Sequence, residues 1–169
     1  QQRLWTLDRL EGGSAGYNIP LAVRLTGRLD VSALGQSIAA LVGRHEALRT
    51  VIVEGDDGVP EGRLLPAPSA ETVLPVTDLS AHGDVEGAVR DFIAAEAARP
   101  FDLGVDYALR GSLLRLGPAE VVFMLTAHHH ASDGLSEDVL VGELAAAYGA
   151  YCTGAAPALP ALPVQYSDW

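Results

Sequence analysis

Apolar positions along the chain change their period several times, and each change marks an element. Leu4, Leu7 and the bulky Trp5, between Gln2 and Leu10, have near-helical spacing and predict a short opening helix, which the glycine-dense stretch 11–16 ends as a loop. From Tyr17 to Leu29 the period falls to two. Leu21, Val23 and Leu25 alternate with Ala22, Arg24 and Thr26, as in a strand with one wet face. Asp30 then stands where a carboxylate can cap a helix, and Leu34, Ile38, Leu41 and Val42 line one side of that helix up to Gly43 and Arg44.

Residues 45–53 lead into a β-branched run that stops at the turn Gly55-Asp56-Asp57-Gly58, with a hairpin partner expected near Arg63 to Leu65. Residues 66–70 read as loop, Val73 to Val76 as a short strand interrupted by Pro75, and 78–83 as a turn-rich connection. After Asp84, the positions Val85, Val89, Phe92 and Ile93 mark an amphipathic helix that runs to Ala98 and is stopped by Pro100. Alternation returns from Ala108 to Leu116, Gly117-Pro118 turns the chain, and the run beginning at Val121 is unbroken in its β-formers, so the two form an antiparallel hairpin. Val139, Leu140, Leu144, Ala147, Tyr148 and Tyr151 predict a long helix with its stop at Gly154, followed by a proline-alanine connector to Pro163. There is no internal repeat. Together these elements predict an α+β fold: a two-layer sandwich of a largely antiparallel or mixed sheet with helices packed on it.

Composition narrows the class. The chain has 169 residues, enough to bury a core in one domain or one lobe. Hydrophobic residues make up 49% and charged residues 20%, and no apolar run reaches the roughly 18 residues of a membrane span, which predicts a soluble protein with no membrane partner. A net charge of −11 without any basic block argues against nucleic acid, because nothing displaces counterions from phosphates. Cys152 is the single cysteine, which excludes an intrachain disulfide, fits a reducing compartment and predicts a cytoplasmic protein. The start at Gln1 and the stop at Trp169 suggest a piece of a longer polypeptide. No glycine-rich phosphate loop follows a strand, so nucleotide-binding readings of that kind fall away.

Candidate chemistry concentrates where the apolar run ends, in His128-His129-His130-Ala131-Ser132-Asp133-Gly134. Strand alternation turns His129 away from His128 and His130. Asp133 and the main-chain N–H groups near Gly134 begin the next helix, where negative charge, including a developing oxyanion, is favoured. One reading is plain packing, with a histidine hydrogen-bonded beside an aspartate. A metal site is not supported, since Cys152, His45 and His82 show no ligand spacing. A serine-hydrolase site lacks G-x-S-x-G around Ser132 or Ser136. Acid–base chemistry fits, because an imidazole that titrates near pH 6.5 can orient or deprotonate an attacking group.

The same seven residues resemble HHxxxDG, the signature of the condensation domains of nonribosomal peptide synthetases and of the wider chloramphenicol-acetyltransferase-like superfamily. Further stretches resemble that family's motifs in the family's order: residues 2–7 its QxRLWxL, Tyr17-Asn18-Ile19-Pro20 its YNIP, residues 44–50 its RHExLRT, Arg99-Pro100-Phe101-Asp102-Leu103 its RPFDL, and residues 165–169 the start of its YxDYxxW. The resemblance implies a V of two similar lobes with a tunnel between them. It makes residues 1–169 the N-terminal lobe only, incomplete for catalysis without the absent C-terminal lobe.

The implied reaction is attack by the amine of an acceptor aminoacyl thioester on the carbonyl of a donor thioester. Both substrates arrive on phosphopantetheine arms of peptidyl carrier proteins, the donor and acceptor partners, so the chain itself needs no bound cofactor. His129 is implied as the residue on which bond formation depends, as a base or a positioning group, with Gly134 nearby letting the backbone approach substrate. His128 is implied as structural, and Asp133 pairs with Arg44 or, second, Arg49. Trp5, Tyr17 and Phe101 read as core, Glu46 as a cap or salt-bridge partner, and Asp102 as the end of a turn. The family usually continues from RPFDL into a proline-leucine-arginine segment, where this chain has residues 106–110 as Asp-Tyr-Ala-Leu-Arg. Two other functions share the motif or the fold: epimerisation at the α-carbon of a tethered residue, and noncatalytic docking of carrier proteins or tailoring enzymes.

Overall fold

The computed structural model describes residues 14–131, 134–162 and 165, with only the main chain of 134–137. Its elements follow the periodicities closely. Strand β1 spans Asn18–Thr26, helix α1 Val31–Arg44, strand β2 Thr50–Glu54, strand β3 Pro60–Leu64 and the short helix α2 Ala70–Val73. Strand β4 spans Val76–Asp78, helix α3 Val85–Ala98, strand β5 Leu109–Gly117, strand β6 Glu120–His128 and helix α4 Gly134–Cys152. The predicted opening helix, with Trp5, lies outside the described residues.

Capping explains where the helices begin. The carboxylate of Asp30 accepts from the Ala33 main-chain N–H at 2.9 Å, and that of Asp84 accepts from Gly87 at 2.8 Å. Helix α4 ends as expected, with Gly154 at a φ of 73°, a conformation that costs glycine nothing.

Four strands make one sheet in the order β1-β6-β5-β4, and β2-β3 form a separate antiparallel hairpin. Within the sheet β1, β6 and β5 are antiparallel neighbours, while β4 runs parallel to β5, so the sheet is mixed. Val121 to His128 in β6 are all buried rather than alternating, because both faces of the sheet are covered. Odd-numbered residues of β6, from Val121 to Ala127, join Leu34, Ile38 and Leu41 of α1 and Leu140 and Leu144 of α4 in the larger core. On the opposite face Val122 and Leu114 pack with Val89, Phe92 and Ile93 of α3. The helices of the sandwich therefore cover both sides of the sheet.

Strand β1 is an edge. Main-chain groups of Tyr17 and Gly27 bond across to His129 and Ala119, so the odd-numbered residues face β6 and Pro20 turns its missing N–H outward, where no ladder bond is lost. Two local expectations need correction. Val73 closes a helical turn capped by Ser69, and the strand starts only at Val76, after the proline that the alternation had been carried across. The partner strand of the hairpin begins at Pro60 rather than near Arg63, because the turn is tightened by the Gly55 N–H to Val59 carbonyl bond at 2.8 Å.

Gly111, in the middle of β5, is required by close approach. A Cβ there would lie 2.7 Å from the Val73 carbonyl oxygen and 3.1 Å from Ile38 Cδ1. Gly111→Ala is expected to destabilise the fold by about 1–3 kcal/mol, as overpacking does. Gly117→Ala, with nothing within 4 Å of the added atom, should stay within about 0.5 kcal/mol. Urea unfolding of the two variants checks this, and equal stabilities would contradict it.

Candidate active site

The end of β6 is held from both sides. The His128 main-chain N–H donates to the Ala108 carbonyl, ahead of β5, at 2.9 Å, and the His129 N–H donates to the Tyr17 carbonyl, ahead of β1, at 2.9 Å. The chain then turns at once, with the Ala131 N–H donating to the His128 carbonyl at 3.1 Å. His128 and His130 are buried, at 1% and 6% exposure, whereas His129 is exposed. The alternation read along the strand thus persists into the turn, and one of three adjacent imidazoles meets solvent.

His128 sits in an aromatic box. Its ring lies 5.5 Å from that of Phe101, nearly edge-on, 6.0 Å from Tyr17 and 4.9 Å from His130. Burial pushes its pKa down to about 4, helped by His130, His129 and Arg110, because a charged imidazolium has no compensating partner there. The pKa of His130 is also lowered, again chiefly by burial, while a Thr50 main-chain contact works in the opposite direction.

Phe101 is also held by Arg110, whose guanidinium carbon lies over the ring, 3.8 Å from its centre. Arg110 also donates to the carbonyls of Arg99 at 2.7 Å and Pro100 at 3.0 Å, and its Nε lies 3.0 Å from Glu96. Asn18 completes this knot by donating to the carbonyls of Ala97 at 2.8 Å and Arg99 at 2.9 Å, closing the end of α3. The segment in which residues 106–110 depart from the expected pattern therefore ends on an arginine that ties the start of β5 to the stretch 96–101. Asp102, read as the end of a turn, instead opens one: its carboxylate accepts from the Gly104 N–H at 2.9 Å and its carbonyl from Val105 and Asp106.

Arg44 and His45 both reach Glu143 of α4, Arg44 through Nε at 3.1 Å and His45 through Nε2 at 2.7 Å. Arg44 also donates to the Pro160 carbonyl. Arg49 bonds the Leu65 carbonyl at 2.9 Å and pairs with Glu46 at 3.3 Å, the salt-bridge role read for Glu46. Asp133, the implied partner of Arg44 or Arg49, lies outside the described residues. Gly134 opens α4, the helix that Arg44 and His45 anchor at Glu143. Among the described residues no group of three His, Cys, Asp or Glu side chains is placed to hold a metal ion.

Glu143, Asn18 and Arg110 were not singled out as site residues from sequence. For Glu143 a signal existed: it falls three residues after Leu140 and four before Ala147, a carboxylate on the apolar stripe of a helix. The roles of Asn18 and Arg110 depend on contacts 79 and 11 residues away, which periodicity does not carry.

The condensation-domain family model matches residues 1–169. This chain belongs to the condensation-domain family. Over 169 residues it is 47% identical to the "Probable non-canonical nonribosomal peptide synthetase (NRPS) CymA" of Salinispora arenicola and 41% identical to the isonitrile lipopeptide synthase of Mycobacterium tuberculosis. All of this chain is covered in both cases, but only 2% and 7% of those proteins. The X-domain from teicoplanin biosynthesis is 34% identical with a TM-score of 0.86, covering 99% of this chain and 35% of that one. The starter condensation domain of rhizomide synthetase RzmA is 26% identical with a TM-score of 0.80, covering 94% and 38%. This condensation-domain chain therefore spans little more than a third of the solved domains it resembles. Among its described residues no helix is long and apolar enough to cross a membrane.

The depressed pKa of His128 has a stability consequence with a definite sign. In the unfolded chain a histidine binds a proton near pH 6.5, and in the folded protein His128 does so only near 4. The unfolded state binds more protons between these values, so this contribution is complete above about 6.5 and is lost as pH falls towards 4. His128→Asn keeps an acceptor near the Nδ1 position without titrating. Its unfolding free energy is expected to depend less steeply on pH across that window than the wild type's, by up to about 3 kcal/mol in total. Identical slopes in urea melts at successive pH values would contradict the assignment.

Proposed function

We propose that residues 1–169 are the N-terminal lobe of a condensation domain that joins a donor acyl or peptidyl thioester to the amine of an acceptor aminoacyl thioester, with His129 as the reacting histidine. The carrying observation is the split within the histidine run: His129 is exposed at a backbone fixed on both sides, while His128 and His130 are buried and neutral. An α-amino group has a pKa near 8, so at neutral pH most of it is protonated and unable to attack. An imidazole within reach either takes that proton or holds the neutral amine towards the carbonyl. His129 suits both tasks because its main chain is fixed while its ring is accessible.

The second wall of the site belongs to the rest of the domain, in keeping with the 35–38% of the solved chains that this chain spans. Substrates reach the site on phosphopantetheine arms of donor and acceptor carrier proteins, and neighbouring synthetase domains supply them. The setting is the cytoplasm, where a lone exposed Cys152 stays reduced.

In the complete domain, with both carrier proteins loaded, His129→Ala is expected to lower dipeptide formation at least about 100-fold. Unchanged product would overturn the assignment. Deuterium exchange at the α-carbon without a dipeptide would identify an epimerisation domain instead, and carrier binding without either reaction a docking module.

A further inference from the structure

His130, at the first variable position of the motif, has no part in that chemistry, yet it is buried and its Nδ1 lies 2.8 Å from Nδ1 of His128. At that separation one nitrogen must carry hydrogen and the other a lone pair, because two donors or two acceptors would repel. The main chain decides which. The His130 backbone N–H also points at His128 Nδ1, at 3.2 Å, and a donor can approach that atom only if it is an acceptor. His128 therefore carries its hydrogen on Nε2, and His130 carries its own on Nδ1.

One atom of His128 thus receives both the ring N–H and the main-chain N–H of the residue two places on. This reproduces with imidazole what an aspartate or asparagine does when its side chain closes a turn on a backbone N–H two residues later. The Ala131 N–H to His128 carbonyl bond closes the same turn from the main chain, and His129 is its first corner residue. We propose that His130 is a positioning residue, whose Nδ1–H locks the His128–Ala131 turn in the form that presents His129. Burial supports the arrangement by holding both rings neutral, since an added proton would convert the shared acceptor into a donor.

The activity arm of the test rests on the reading of His129 as the reacting residue; the spectroscopic arm does not. In the complete domain labelled with 15N-histidine, long-range proton–nitrogen spectra are expected to show His130 as the Nδ1–H tautomer and His128 as the Nε2–H tautomer. The reverse assignment, with hydrogen on His128 Nδ1 and on His130 Nε2, would overturn the proposal. His130→Asn places an amide N–H near the position of Nδ1, whereas His130→Leu fills volume without a donor. With carrier-loaded substrates, the leucine variant should lose about 10–100-fold in kcat with KM within about twofold, and the asparagine variant should recover to within about threefold of wild type. A leucine variant as active as wild type, or leucine and asparagine variants equally impaired, would overturn it. Should His129→Ala leave product formation unchanged, the tautomer spectra still decide the matter.

Discussion

The structure depends on the way the central strand β6 ends. At its last two positions the main chain is bonded to both flanking segments, through His128 to Ala108 and through His129 to Tyr17, before the chain turns back on itself within three residues. A strand end bonded on one side only would fray, and its side chains would exchange between faces. Here alternation is carried past the last ladder pair, so that adjacent imidazoles meet opposite environments. The buried members make a dry, neutral pair and the exposed one is left for chemistry.

Most of the remaining polar detail serves that end of the sheet. Asn18 and Arg110 occupy the carbonyls at the end of α3 and the start of the following loop, which places Phe101 over His128. Arg44 and His45 hold α4 at Glu143, and Gln165 bridges the same region by accepting from the Glu46 N–H and donating to the Arg44 carbonyl. Motifs scattered through the chain are thus brought into contact in pairs. The pairs that were visible as resemblances acquire a physical reason: each supplies a bond or a ring that the others lack.

Periodicity was enough for β1, α1 and α3, while the unbroken β-formers after Gly117-Pro118 marked β6 and the apolar set from Val139 to Tyr151 with its stop at Gly154 marked α4. Asp30 was legible as a cap from its place just ahead of α1. Local reading failed where the chain is short and proline-rich: Val73 went to a helical turn and Val76 began a strand that survives through parallel pairing with β5, a contact made in three dimensions. Within the site, the orientation of His129 followed from alternation. The partner of Arg44 did not, since Glu143 lies 99 residues away on another element, and the expected Asp133 falls outside the described residues. Nor was the His128–His130 contact foreseeable, because a strand places such residues on one face without saying that the turn beyond it brings their rings together.

One histidine of three is presented to solvent and the other two are withheld. Acylation of neutral imidazoles by diethyl pyrocarbonate in the folded domain at neutral pH, followed residue by residue by mass spectrometry, tests it most directly. His129 is expected to be modified at a rate comparable to that of the exposed His82, while His128 and His130 react at least about tenfold more slowly, as burial to 1% and 6% exposure requires. Modification of His128 or His130 as fast as His129 would contradict it.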